Sequence, residues 1–462
     1  MRAGVAAGHP ATAEAGAEIL ADGGSAADAA VAACLASCVA ETVMTGFLGG
    51  GHAIYRDARS GVVETLDCFV AVPGLGVPPR TPELVELQVP FGTELVHYAV
   101  GPASCGVPGV PAGLDALWSR FGRLPWARLC EPALAVARSG VAMPQAHAAC
   151  LEMLAPVMTM NEGAAIYAPR GRLLETGDQL DQPGLVRALE VLADEGPRSA
   201  YEGTIAASLL EVIGARGGLV TRGDLAAYEA RWSKPVAIPY AATHVLTRPG
   251  LAPLAEPLRR LAPLRGLDPA GRALALVEAL AGDTGPAGHT TNLTVVDGDG
   301  SACVLTTSLG LGSGDFLPGL DLHLNSMLGE TDLLRGELEP GSRMASMMAP
   351  CIAVDSSGEV VLAAGAAGGT RLRSALVQVL GGILDERLGV AEAIARPRLH
   401  PAARIVHLEP AFDRTVAPAL EAAGWEVRAW PAQHHYFGGV SVITPTGGAG
   451  DPRRSGEARM LP

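Results

Sequence analysis

Thr290 and Thr291 stand inside a run, 288–300, that reads Gly-His-Thr-Thr-Asn-Leu-Thr-Val-Val-Asp-Gly-Asp-Gly. A small-residue linker, Gly282 to Gly288, leads into the threonine pair, and an alternating strand follows and ends in a tight turn. A hydroxyl at the first residue of a strand, behind a cleavable linker, suits a chain that cuts its own backbone before that residue. The freed α-amino group then takes the proton of the hydroxyl beside it, so one residue supplies nucleophile and base. No His or Asp partner is required nearby. Threonine pairs also precede ordinary strands, because β-branched side chains suit a pleated surface. The elements around the pair must therefore decide between the two readings.

Composition removes several function classes. The 462 residues carry a net charge of −14, spread without long runs of one sign, which disfavours a nucleic-acid or anionic-membrane partner. Lys234 is the single lysine, and the positive charge is otherwise arginine. The N-terminal residues lack an apolar stretch of signal length, and the most apolar run, Ala26 to Ala40, is too short to span a bilayer. It reads as a buried helix. The eight cysteines are scattered, and although Cys34 and Cys38 share a helix face, no His or Cys cluster joins them. The expected compartment is the cytoplasm. His434-His435 lacks a third ligand at sensible spacing, so no metal and no cofactor are expected.

The elements that position the threonine pair are legible from punctuation and period. Helices are predicted over Ala11–Asp22 and Ala26–Val39, with Gly23-Gly24 stopping the first and Ser25 capping the second. Ala53–Arg56 and Val62–Leu66 read as a hairpin around Arg59-Ser60-Gly61. The middle, 110–235, is mostly helical, with an N-cap region at Thr221 to Asp224. Residues 241–288 are poor in pattern apart from a short helix, Leu274–Leu280. Strands are predicted over 292–297, 302–308, 351–355 and 359–363, then a helix from Thr370 to about Glu386. Strands and helices mixed in one core give an α+β fold with sheets inside and helices outside.

Several stretches, in order, resemble the γ-glutamyltranspeptidase family over nearly the whole chain. They are Gly23 to Ala32, Gly49-Gly50-Gly51, Thr65-Leu66-Asp67, Gly106 to Val110, Gly217 to Tyr228, the threonine pair, and Gly450 to Arg454. The resemblance implies a four-layer αββα sandwich of the N-terminal-nucleophile hydrolase type, made as one precursor. It places the nucleophile on Thr290 and the cleaved bond between His289 and Thr290. Cleavage there would divide the chain into a large subunit, 1–289, and a small subunit, 290–462, paired as a heterodimer. It places the orienting second hydroxyl on Ser308, where the family has threonine. The oxyanion hole falls on Gly368 and Gly369, a pair that lets the backbone approach closely before a helix start. This stretch lacks the spacing of a nucleotide phosphate loop.

The glutamyl pocket departs from the family's pattern. The arginine that holds the substrate carboxylate is replaced by Phe69, which offers an apolar face in place of a guanidinium fork. Glu330 is the one carboxylate kept of an acidic pair. Of two adjacent serines Ser346 stays and Met347 replaces the other, and Gly310 stands where the family has asparagine. The segment before the linker is shorter than in the family. The resemblance and these changes together imply an autoprocessing threonine hydrolase or acyltransferase acting on a non-standard, biosynthetic small molecule rather than glutathione. Two alternatives stay open. One is hydrolytic C–C cleavage of an oxo-acid, resembling family members in antibiotic pathways that build 4-alkylproline units. The other is an uncleaved, inactive scaffold. His289 reads as a linker residue and His52 as a structural histidine.

Overall fold

The computed structural model describes residues 1–462 apart from 92–93, 252–253, 283–289, 331–332 and 336. Two antiparallel sheets lie face to face. One has seven strands in the order Glu457–Met460, Gly4–Ala7, Thr291–Val296, Ala302–Ser308, Gly50–Arg56, Val63–Cys68 and Arg231–Ser233. The other has six, in the order Gly447–Ala449, Gly439–Thr444, Val360–Ala367, Cys351–Val354, Thr243–Thr247 and Val236–Tyr240.

Side-chain alternation divides the first sheet between two cores. Leu293, Val295, Cys303 and Leu305 pack outward, beneath the helices Pro10–Ala21, Ala26–Ala40 and Trp126–Ser139. Val296, Val304 and Ile54 pack inward against Ile352, Ala363 and Ile443 of the second sheet. The far face of that sheet is covered by Pro269–Leu280 and Arg371–Leu380. The result is a four-layer αββα sandwich, an α+β fold. Every residue of Ala26–Ala40 is buried, which accounts for its apolar run. Among the described residues no helix is long and apolar enough to cross a membrane.

Capping fixes the helix starts that the sequence marks. Ser25 and Asp28 form a reciprocal capping box, and Thr221 and Asp224 form another. Three expectations shift. The central strand Gly4–Ala7 went unread, because four small residues buried on both faces show no alternation. Residues 236–247 form a hairpin inside a stretch that includes the segment read as patternless. The helix after Thr370 is α-helical only to Leu380, then continues as a π-helical turn, Gly381–Asp385. The linker and His289 lie outside the described residues.

Candidate active site

Thr290 stands one residue before its strand. Thr291 pairs with Thr307, Ser308 with Gly50, and Gly51 with Cys68. Continuing that register sets Thr290 beside Ser308 and Gly50 beside Phe69. Strand side chains alternate, so Thr290, Ser308 and Phe69 share one face at the end of the sheet, the face turned toward the second sheet. Thr291 turns the other way, toward the helices, and its hydroxyl donates to Glu41.

A narrow cleft opens at this end of the sandwich. Thr290, Ser308 and Gly369 line it together with Phe69, Glu330, Ser346 and Met347. The nucleophile, the second hydroxyl, one glycine of the pair and the four pocket residues expected from the sequence thus border one space, and Gly368 directly precedes Gly369. Thr290, Ser308, Phe69, Glu330 and Ser346 are all buried, and Met347 is half-buried. Met327, Leu333, Met348 and Leu372 complete the wall. These four were missed because nothing in their local sequence marks them; tertiary packing alone brings them in.

The glycine pair turns the chain from Val360–Ala367 into the helix Arg371–Leu380. Gly368 has φ +130° and Gly369 φ +57°, backbone that favours glycine. A Cβ on Gly368 would also come within 2.9 Å of Gly438 Cα. Because Gly369 and Leu372 both line the cleft, the N-terminus of this helix borders it, where backbone N–H groups favour developing negative charge.

The polar groups are held by short local bonds. Ser308 Oγ accepts from the Gly310 N–H at 2.9 Å, and Ser346 Oγ from the Met348 N–H at 3.2 Å. The Thr290 carbonyl accepts from Arg454 Nη1 at 3.3 Å. Two arginines that the sequence reading passed over, Arg248 and Arg343, lie just behind the cleft wall, and both are engaged with backbone. Arg248 Nη1 donates to the Ser346 and Met348 carbonyls at 3.2 and 3.0 Å. Arg343 Nη1 donates to the Phe69 carbonyl at 2.8 Å and its Nε lies 3.3 Å from Asp67. Burial draws the Arg248 guanidinium down to about 10, with Asp67 opposing the shift. Burial, then the charges of Arg248 and Arg343, hold His52 neutral, well below the usual histidine range. His52 does not line the cleft; it stacks behind Phe69. His434 packs against Trp430, and among the described residues no group of three or more His, Cys, Asp or Glu could hold a metal ion.

A four-layer αββα sandwich with a threonine hydroxyl at the head of a central strand is the architecture of N-terminal-nucleophile hydrolases. The chain belongs to the gamma-glutamyltranspeptidase family, whose model matches residues 12–253 and 269–461. It is 29% identical over 503 residues to the acylase ACY 1 proenzyme of Pseudomonas sp. (strain SE83), covering 94% of this chain and 88% of that protein. It is 27% identical over 463 residues to the glutathione hydrolase proenzyme of Pseudomonas aeruginosa, covering 84% of this chain and 81% of that protein. Among solved structures, cephalosporin acylase from Bacillus halodurans superposes with a TM-score of 0.83 over 100% of this chain and 96% of that one. At 22% identity that likeness carries the fold alone. The family is one of hydrolases and transferases, and both sequence relatives are named as proenzymes.

Proposed function

We propose that this protein is a precursor that cleaves itself between His289 and Thr290 and then hydrolyses or transfers the acyl group of a small-molecule amide. One observation carries the reading: Thr290, Ser308 and Gly369 meet in a single cleft whose remaining wall is Phe69, Leu333, Leu372 and three methionines, with Glu330 and Ser346 as its polar groups. In this reading the Thr290 Oγ attacks the amide carbonyl and the α-amino group of Thr290 takes the hydroxyl proton. Ser308 orients the nucleophile, and the N–H groups of Gly368 and Gly369 bind the oxyanion. The amine leaves with the proton, and water or a second amine releases the acyl group from the ester.

The wall suggests what the acyl group is. Phe69, Met327, Met347 and Met348 offer apolar, adaptable surface, and Glu330 and Ser346 offer one acidic and one hydroxyl contact for a polar end. The two arginines behind this wall, Arg248 and Arg343, donate to backbone carbonyls, which disfavours either as the fork for a glutamyl α-carboxylate. An apolar acyl amide of secondary metabolism fits better than glutathione. The acylase relatives favour amide over carbon–carbon cleavage, and nothing favours the scaffold reading. Subunits 1–289 and 290–462 would stay together, since each contributes strands to both sheets. Eight buried free thiols suit a reducing compartment such as the cytoplasm.

The test is a comparison of the purified, processed protein on hexanoyl 4-nitroanilide and γ-glutamyl 4-nitroanilide. The reading expects the hexanoyl substrate to lead by at least about tenfold in kcat/KM, equal to about 1.4 kcal/mol of transition-state discrimination. A lead for the γ-glutamyl substrate would overturn it.

A further inference from the structure

Behind the threonine pair, on the side away from the cleft, a fully buried carboxyl group stands between three chain segments. Glu41 ends the helix Ala26–Ala40. Its Oε1 accepts from the Thr12 hydroxyl at 2.6 Å, and its Oε2 accepts from the Thr291 hydroxyl. Gly8 leaves room for this pair: a Cβ there would meet Glu41 Oε2 at 2.5 Å and Thr291 Oγ1 at 2.8 Å. Arg454, buried in the C-terminal turn, donates from Nη1 to the Thr290 carbonyl at 3.3 Å. Glu41, Arg454, Thr290 and Thr291 line one small void.

A buried acid is costly unless hydrogen bonds and a nearby charge compensate it, and Glu41 has both hydroxyl bonds and the Arg454 charge. Arg454 grips the carbonyl of the Thr290–Thr291 peptide, and Glu41 grips the side chain of the residue after it. Together they fix the orientation of the peptide unit that carries the Thr290 hydroxyl. We propose that Glu41 is a positioning residue for backbone cleavage at Thr290, acting through the Thr291 hydroxyl, and that its carboxylate form is the competent one. This rests on Thr290 being the residue at which the chain is cut.

Protonation of Glu41 would remove an acceptor from one of the two hydroxyls and loosen the grip. Burial pushes this carboxyl up to about 7, against the Thr12 and Thr291 hydrogen bonds and the Arg454 charge, which pull it down. The other titratable groups around it change charge elsewhere. Burial takes His9 down to about 4 and His147 down to about 3. Asp451 is held below the usual carboxylate range, and Cys34 lies well above the usual thiol value. Burial moves Cys150 up to about 12 and draws Arg454 down from the usual arginine value. The carboxylate population of Glu41 therefore falls as pH drops through neutrality, and cleavage should slow with it.

The experiment follows cleavage of full-length chain made by cell-free translation, by denaturing mass spectrometry, between about pH 6 and about pH 8. Wild type should cleave about tenfold faster at the upper value, as the carboxylate share rises from about one-tenth to about nine-tenths. Glu41→Gln offers one acceptor oxygen in place of two, as the protonated acid does, and cannot titrate, so it should cleave near the wild-type rate at the lower pH and change by less than about twofold over this range. Thr291→Val cuts the link to Thr290 and, although it also takes one hydrogen bond from Glu41, leaves a titrating acid in place, so it should flatten the profile in the same way. A thermal melt of each variant reports folding. A wild-type rate flat across the range, or a step that survives both Glu41→Gln and Thr291→Val, would assign the control to another group such as His289 and overturn the proposal while leaving Thr290 as the cleaved residue. Wild type that stays intact at every pH, as Thr290→Ala does, would overturn both.

Discussion

The ring of Phe69 lies against the ring of His52, with centroids 5.5 Å apart and planes 11° from parallel. Phe69 is thus more than an apolar residue in an arginine's place; it is part of a packed wall. It sits 1% exposed, in a cluster with Met327, Leu333, Met344 and Met348. Its carbonyl takes bonds from Arg343 and from the Tyr228 hydroxyl.

Phe69→Arg should therefore fail to restore γ-glutamyl recognition. The new guanidinium would replace a ring in an apolar cluster, beside a neutral His52 and close to Arg248 and Arg343, with no added carboxylate. Loss of the ring contacts alone should cost about 3–5 kcal/mol, and an unpaired buried charge adds to that. A thermal melt should show a large drop, and γ-glutamyl 4-nitroanilide turnover should not rise above wild type.

Gly310 should resist a return to the family's asparagine. It has φ +72°, and a Cβ would fall 2.6 Å from Glu330 Oε1 and 2.7 Å from Ser326 Oγ. Asparagine tolerates left-handed backbone better than most residues, so the contacts decide. Gly310→Asn should displace Glu330 and disturb the N–H that donates to Ser308. The expected result is a loss of about 1–3 kcal/mol and slower hydrolysis of hexanoyl 4-nitroanilide. A variant as stable and as active as wild type would show that the loop yields freely.

Asp451 anchors the C-terminal turn that delivers Arg454. Its carboxylate lies 2.5 Å from Arg398 and 3.2 Å from Arg453, and it accepts from the Val440 N–H at 3.0 Å. Burial alone would raise its pKa, but Arg398 and Arg453 outweigh burial and hold it below the usual carboxylate range. Such a group contributes stability that is present above the usual carboxylate pKa and is lost as pH falls through the lower native value. Asp451→Asn leaves Arg398 buried without its anion and should cost about 3–5 kcal/mol at neutral pH. The gap between wild type and variant should narrow in strong acid, which urea melts across the acid range would reveal.

Punctuation carried the fold well where a run rich in Val, Leu and Thr was bounded by turn residues such as Asp297-Gly298-Asp299-Gly300. Thr291–Val296 and Ala302–Ser308 lie within a residue of their expected bounds, and Ser25 caps the helix it was expected to cap. Gly4–Ala7 and Val236–Tyr240 escaped, the first because it is small and buried throughout, the second because Pro239 obscures it. The cleft was legible only in part. Thr290, Ser308 and the glycine pair stand in motifs that resemble a family's, and the strand register explains why two hydroxyls eighteen residues apart meet. Arg248, Arg454 and Glu41 are single residues in segments remote from the threonine pair. Only the folded chain puts them behind it.

The most direct test is denaturing mass spectrometry of purified wild type beside Thr290→Ala. The account predicts two fragments in wild type that meet between His289 and Thr290, and one intact chain in the variant. One intact chain in both, after native incubation, would contradict it.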